Sequence, residues 1–149
     1  MDHEIVFRGG EPGPDGLTRY RPGDRVSGHL TLYPDRDTHA RGVWLGVVCQ
    51  IHGSGTAEQV VACEDLLSYD GDLHAGQPVT IGFDALLPKT APLSYQGRRV
   101  KFDWQVRARV DIPIWRDPKL SFPFLVVPTR TLAEGYDFHA EPDEAGADT

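Results

Sequence analysis

The chain has 149 residues, 40% hydrophobic and 25% charged, enough to enclose one core and ordinary for a soluble globular domain. No apolar run approaches the ~20 residues needed to span a bilayer, and Met1-Asp2-His3-Glu4 lacks the basic start and apolar segment of a secretory signal. Six acids and one base, Arg130, follow position 128, so residues 129–149 carry −5 of the net −7, a balance that speaks against general nucleic-acid binding.

In chain order, Glu4 to Arg8 can form a first short strand, and the Gly- and Pro-rich stretch Gly9 to Arg21 reads as loop. Pro22-Gly23 suits the central positions of a type II turn, because Pro presets φ and Gly accepts a positive φ. Alternation then begins, with Val26, Gly28, Leu30 and Leu32 inward and Arg25, Ser27, His29, Thr31 and Tyr33 outward. Pro34 to Thr38 breaks it. Arg41 to His52 is apolar on both faces in its middle, as a central strand of a packed sheet would be, and Gly53-Ser54-Gly55 closes it. Glu58 to Leu67 is ambiguous: Val60-Val61 favours a strand, yet one or two helical turns fit as well. Pro78 to Leu87 alternates cleanly, and Lys89 to Gly97 is a loop.

Arg98 to Ile114 is the most informative stretch. Val100, Phe102, Trp104, Val106, Ala108, Val110, Ile112 and Ile114 are apolar, whereas Arg99, Lys101, Asp103, Gln105, Arg107, Arg109 and Asp111 are polar. Period two means one long strand with a core face and a wet face, and half-buried strands belong to antiparallel sheets. Leu120 to Val127 is the last strand; Pro123 has no ladder donor, so an edge or a bulge is expected there. Seven strands at this spacing, set among many turn residues, fit a β-sandwich. Thr129 to Thr149 lacks periodicity and is expected to be mobile beyond about Phe138.

The wet face of the long strand carries Arg99, Lys101, Arg107 and Arg109 against Asp103 and Asp111, net +2. Three readings stay open. The face can meet an acidic peptide, a phosphorylated segment or an anionic lipid surface, its charges can pair with a neighbouring strand, or the acidic tail can lie on it. Trp104 belongs to the core by its place in the alternation, while Trp115, just past the strand, is the candidate exposed anchor for a partner. Sheet edges offer a second kind of surface, open to an added peptide strand or to a second copy in a homodimer.

Chemistry is otherwise sparse. Cys49, His52, Cys63 and His74 are the only arrangement resembling a metal set, but an odd separation sends Cys49 and His52 to opposite faces of one strand. A Cys49–Cys63 disulfide needs a hairpin centred near Thr56; the favoured reading is two buried thiols in a reducing cytoplasm. No nucleophile elbow, Walker loop or His-Glu-x-x-His motif occurs, and Ser94-Tyr95 has no evident base beside it. Asp111, before Ile112-Pro113, is read as a strand end rather than an acid–base group. No metal and no cofactor is expected.

With the strands placed, three stretches together resemble the N-terminal lobe of arrestin-type proteins. They are Tyr20-Arg21-Pro22-Gly23-Asp24-Arg25-Val26-Ser27-Gly28, then Leu87-Pro88 through Ala91-Pro92-Leu93-Ser94-Tyr95-Gln96-Gly97 with the strand around Trp104, and finally Phe124-Leu125-Val126-Val127-Pro128. The bacterial sporulation-control members are nearer than the animal receptor regulators. The likeness spans roughly residues 4 to 128, one lobe where the family carries two. It implies an antiparallel, immunoglobulin-like all-β sandwich acting as a non-enzymatic adaptor or scaffold. His3-Glu4-Ile5-Val6-Phe7-Arg8 lacks the paired lysines with which animal arrestins read receptor phosphates, so that activity is not implied.

The expectation is therefore a cytoplasmic sandwich over residues 1–128 with an acidic tail over 129–149. It binds a protein partner's acidic or extended segment through Arg99, Lys101, Arg107, Arg109 and Trp115. A membrane-surface module and a small enzyme with a site assembled only in three dimensions are the alternatives.

Overall fold

The structure, a computed structural model, describes residues 1–53, 58–113 and 119–128. Its elements there are all strands: β1 Asp2–Arg8, β2 Glu11–Pro12, β3 Thr18–Tyr20, β4 Arg25–Tyr33, β5 Thr38–His52, β6 Glu58–Leu73, β7 Val79–Leu86, β8 Tyr95–Gln96, β9 Lys101–Asp111 and β10 Lys119–Val126. They form two sheets. The smaller runs β1-β4-β7, and the larger runs β2-β3-β10-β9-β5-β6, with β8 also pairing β9. All pairs are antiparallel except β10 with β3, which is parallel over Leu125↔Arg19 and Val126↔Tyr20.

The alternation of the long strand becomes the packing of the sandwich. Trp104, Val106, Ala108 and Val110 are buried on the inner face of β9, while Lys101, Asp103, Gln105, Arg107, Arg109 and Asp111 alternate with them on the outer face. Trp104, 1% exposed, satisfies its indole N–H by donating to the Pro92 carbonyl at 2.7 Å. An aromatic cluster joins the sheets: the Phe7 ring of the smaller sheet lies 6.3 Å from Tyr20 and 5.9 Å from Phe124 of the larger. The buried Tyr20 hydroxyl donates to the Arg8 carbonyl at 2.6 Å, so the β3 segment is clamped under β1. The Pro22-Gly23 turn forms as expected, with Asp24 N–H donating to the Arg21 carbonyl at 2.9 Å and Gly23 at φ 89°.

Several boundaries differ from the sequence expectation. The long strand begins at Lys101 rather than Arg98, because Gly97 N–H bonds the Val100 carbonyl at 3.0 Å and closes a β8–β9 hairpin with Arg98 and Arg99 at its tip. The stretch read as loop from Gly9 to Arg21 contains β2 and β3, whose pairing depends on β10 rather than on local pattern. The ambiguous segment is strand throughout and continues to Leu73. Its register against β5 shifts between Ala40 and Val48, which explains why strict alternation fails there. Pro123 sits where, among the described residues, β10 has a neighbour only on the β9 side, since β3 joins at Leu125.

The thiols are free. The β5–β6 register pairs Gln50 with Gln59, so the hairpin centre falls before Thr56 and Cys49 faces Val60, not Cys63. Cys49 is buried, and burial pushes its thiol up to about 12. Cys63 is only half-buried, so the reading of two core thiols is right for Cys49 and overstated for Cys63.

Candidate interaction surface

The outer face of the larger sheet is set by β9 and the registers on either side of it. Against β5, Lys101 lies opposite His52, Asp103 opposite Gln50, Arg107 opposite Gly46 and Arg109 opposite Trp44. Against β10, Arg107 lies opposite Ser121 and Arg109 opposite Lys119. The four basic positions expected to act together are thereby split into two groups. From Lys101 to Arg107 is six residues, or about 20 Å of strand, with Asp103 and Gln105 between them.

The upper group is engaged by its neighbours. Arg107 donates from Nε to Asp65 Oδ1 at 3.0 Å and from Nη1 to Gln59 Oε1 at 3.1 Å, both acceptors being on β6. Gly46 makes this possible, because a Cβ at that position would stand 2.2 Å from Asp65 Oδ1. The Arg109 guanidinium lies 5.6 Å from the Trp44 ring centroid, within cation–π range. Together with Lys119 and Ser121 these side chains border an open groove of about 400 Å³. At the strand end, Arg41 holds Asp111 at 2.8 Å, in keeping with Asp111 as a terminator of β9.

The lower group is different. Arg98, Arg99 and Lys101 are exposed, and among the described residues none has an ion-pair or hydrogen-bond partner for its side chain. With His52 and Asp103 they surround a shallow hollow of about 290 Å³. Asp103, the acid in their midst, is already occupied: His52 Nε2 approaches its carboxylate at 3.4 Å, and Gln96 donates a hydrogen bond to it. Three cations at a hairpin tip are left facing solvent.

Between the groups, Gln105 and Ser121 are hydrogen-bonded across β9 and β10 beside a further open hollow of about 570 Å³. Ser94, weighed as a nucleophile, is buried and structural. Its Oγ accepts from Val126 N–H at 2.8 Å, its own N–H donates to the Val126 carbonyl at 2.8 Å, and the loop is thereby tied to β10. Tyr95 packs against Phe102, ring centroids 6.4 Å apart. Trp115 and the acidic tail lie outside the described residues.

Sequence reasoning placed Arg99, Lys101, Arg107 and Arg109 on one wet surface but missed Arg98, Trp44 and Asp65. The Gln96-Gly97-Arg98-Arg99 run carried a usable signal, since a glycine before two arginines marks a turn that would present both. Asp65 carried none, because its position over Gly46 depends on the register shifts of β6.

Among solved structures, the chain resembles Spo0M, a sporulation control protein from Bacillus subtilis, with a TM-score of 0.61 at 14% identity, over 83% of this chain and 48% of that one. It thus spans about half the length of that protein. The fold is an arrestin-like β-sandwich. No family model and no curated protein matches the sequence.

Proposed function

We propose that this chain is a non-enzymatic, regulatory interaction module that takes an acidic, extended segment of a protein partner at the Arg98–Arg99–Lys101 end of its larger sheet. The observation that carries the reading is the contrast in partners: the nearby acid is taken by His52 and Gln96, while three exposed cations around it have none among the described residues. Cationic side chains presented together at a hairpin tip can steer and orient an anionic segment. The likeness to a sporulation control protein supports a regulatory role, and the open hollows along this face suit binding better than catalysis. Arg107 and Arg109 are secondary contacts, reached along the same face. The module needs no cofactor, and the reducing cytoplasm suits its two free thiols.

The test is fluorescence anisotropy with a labelled peptide rich in Asp and Glu, at ionic strengths of about 0.01 M and 0.15 M, between which the Debye length falls from ~30 to ~8 Å. The peptide binds, and binding weakens with salt. The double substitution Arg99→Glu/Lys101→Glu weakens it at least tenfold at low salt. Binding to vesicles of anionic lipid but not to the peptide would replace the protein partner with a membrane surface.

A further inference from the structure

The sandwich has a second surface of opposite character, where β6 and β7 end their respective sheets on the same side. Strand β6 is 16 residues long with one edge unpaired, and carries Glu58, Glu64, Asp65, Asp70 and Asp72 with no lysine or arginine. Asp65 is held by Arg107 and Asp72 by His39, whereas Glu58, Glu64 and Asp70 have no side-chain partner among the described residues. Between the acids, consecutive leucines face water: Leu66 is 58% and Leu67 50% exposed. Beside Leu66 a slot of about 110 Å³ opens between the sheets, its walls formed by Leu45, Val47, Cys63, Phe83 and Ala85, with the exposed Ser68 and Asp84 also lining it.

We infer that the β6 edge receives an extended segment of a partner protein in which basic and apolar residues alternate, one apolar side chain entering the slot between β6 and β7. A free edge offers backbone donors and acceptors to an added strand, and side-chain pockets then select what is added. The slot is smaller than an engineered ~150 Å³ apolar cavity that admits benzene, and so suits a single aliphatic side chain. Charge selects the occupant. A second copy pairing through β6 would bring together two strands of five acids each with no base between them, whereas a cationic strand meets Glu58, Glu64 and Asp70 with opposite sign. The acids that guard this edge against self-association are the ones that admit a basic segment. This inference is independent of the basic hairpin tip, which lies at the β8–β9 turn and takes the opposite charge.

The probe is a labelled peptide of alternating lysine and valine with one central leucine, added to the full chain and read by anisotropy and by amide hydrogen exchange. Binding slows exchange along β6. Glu64→Lys/Asp70→Lys weakens binding at least tenfold by reversing the rim. Ser68→Trp, which adds bulk at the exposed rim of the slot, does the same. Arg99→Glu/Lys101→Glu does not weaken it. No binding to the wild type, equal affinity for either of the first two variants, protection confined to other strands, or concentration-dependent β6 protection without peptide would overturn the inference.

Discussion

Two pairs of cations lie on the one outer face of β9 and its leading turn, yet they are used differently. Arg107 and Arg109 are met by Asp65, Gln59 and Trp44 from the flanking β6 and β5. Among the described residues, Arg99 and Lys101, at the mouth of the β8–β9 hairpin, meet no acid that is not already bound elsewhere. The difference is one of topology. The middle of β9 is flanked by β5 and β10 with β6 beyond, so neighbouring strands supply partners; the end of β9 projects beyond β10 and, among the described residues, is paired there only by the two-residue β8 and the last residues of β5. A charge pattern written along one strand says which face is wet, and the register of its neighbours decides which charges remain available.

The comparison rests on β9 being two-sided, and that is the first thing to break. Trp104→Ala removes the largest inner-face side chain and is expected to lower stability by about 3–5 kcal/mol, read by urea unfolding. A loss under about 1 kcal/mol would mean that the inner face is not the core.

Next comes the contrast itself. Arg99→Glu/Lys101→Glu leaves the urea midpoint unchanged and removes most acidic-peptide affinity. A double-mutant cycle on Arg107 and Asp65 instead gives a stability coupling in the ~0.2–1 kcal/mol range of exposed pairs. Trp44→Ala costs about 0.5–1 kcal/mol through the lost Arg109 contact, beyond any change in burial. A zero coupling at Arg107–Asp65 would erase the distinction between the pairs.

Smaller effects sharpen the picture away from β9. In the native protein Cys63 alkylates before Cys49, whose thiol burial holds near 12, and the order disappears in urea. At the β5–β6 end, the hydrogen bond from His39 holds the Asp72 carboxyl below its ordinary value. Its folded pKa being depressed, this small contribution is present above the unfolded carboxylate value and fades as pH falls through the folded one. His39→Ala returns the Asp72 titration toward the ordinary range in a carboxylate NMR titration.

Much of the architecture is legible from local chemistry, because period-two alternation and a Pro-Gly turn act at short range. β4, β7 and the interior of β9 follow their pattern closely. What escapes is whatever depends on distant partners. β3 exists because β10 lies alongside it, and β6 bends through register shifts that a single strand's sequence does not encode. The same limit governs the site. Four basic residues could be assigned to a wet surface, but Asp65 reaching Arg107 over Gly46 is a consequence of pairing between strands far apart in sequence, and Gln96 occupying Asp103 follows from a local β8–β9 hairpin where a loop was expected. Arg98 was hidden for a simpler reason: a hairpin turn took the first residues that alternation had given to the strand.

The most direct test is an amide NMR titration of the full chain with the acidic peptide. The account predicts shifts concentrated at residues 96–103 and at His52 and Gly53, with smaller ones at Arg107 and Arg109. Shifts confined to Trp44, Arg107 and Arg109, or spread over the β1 and β7 edges, would contradict it.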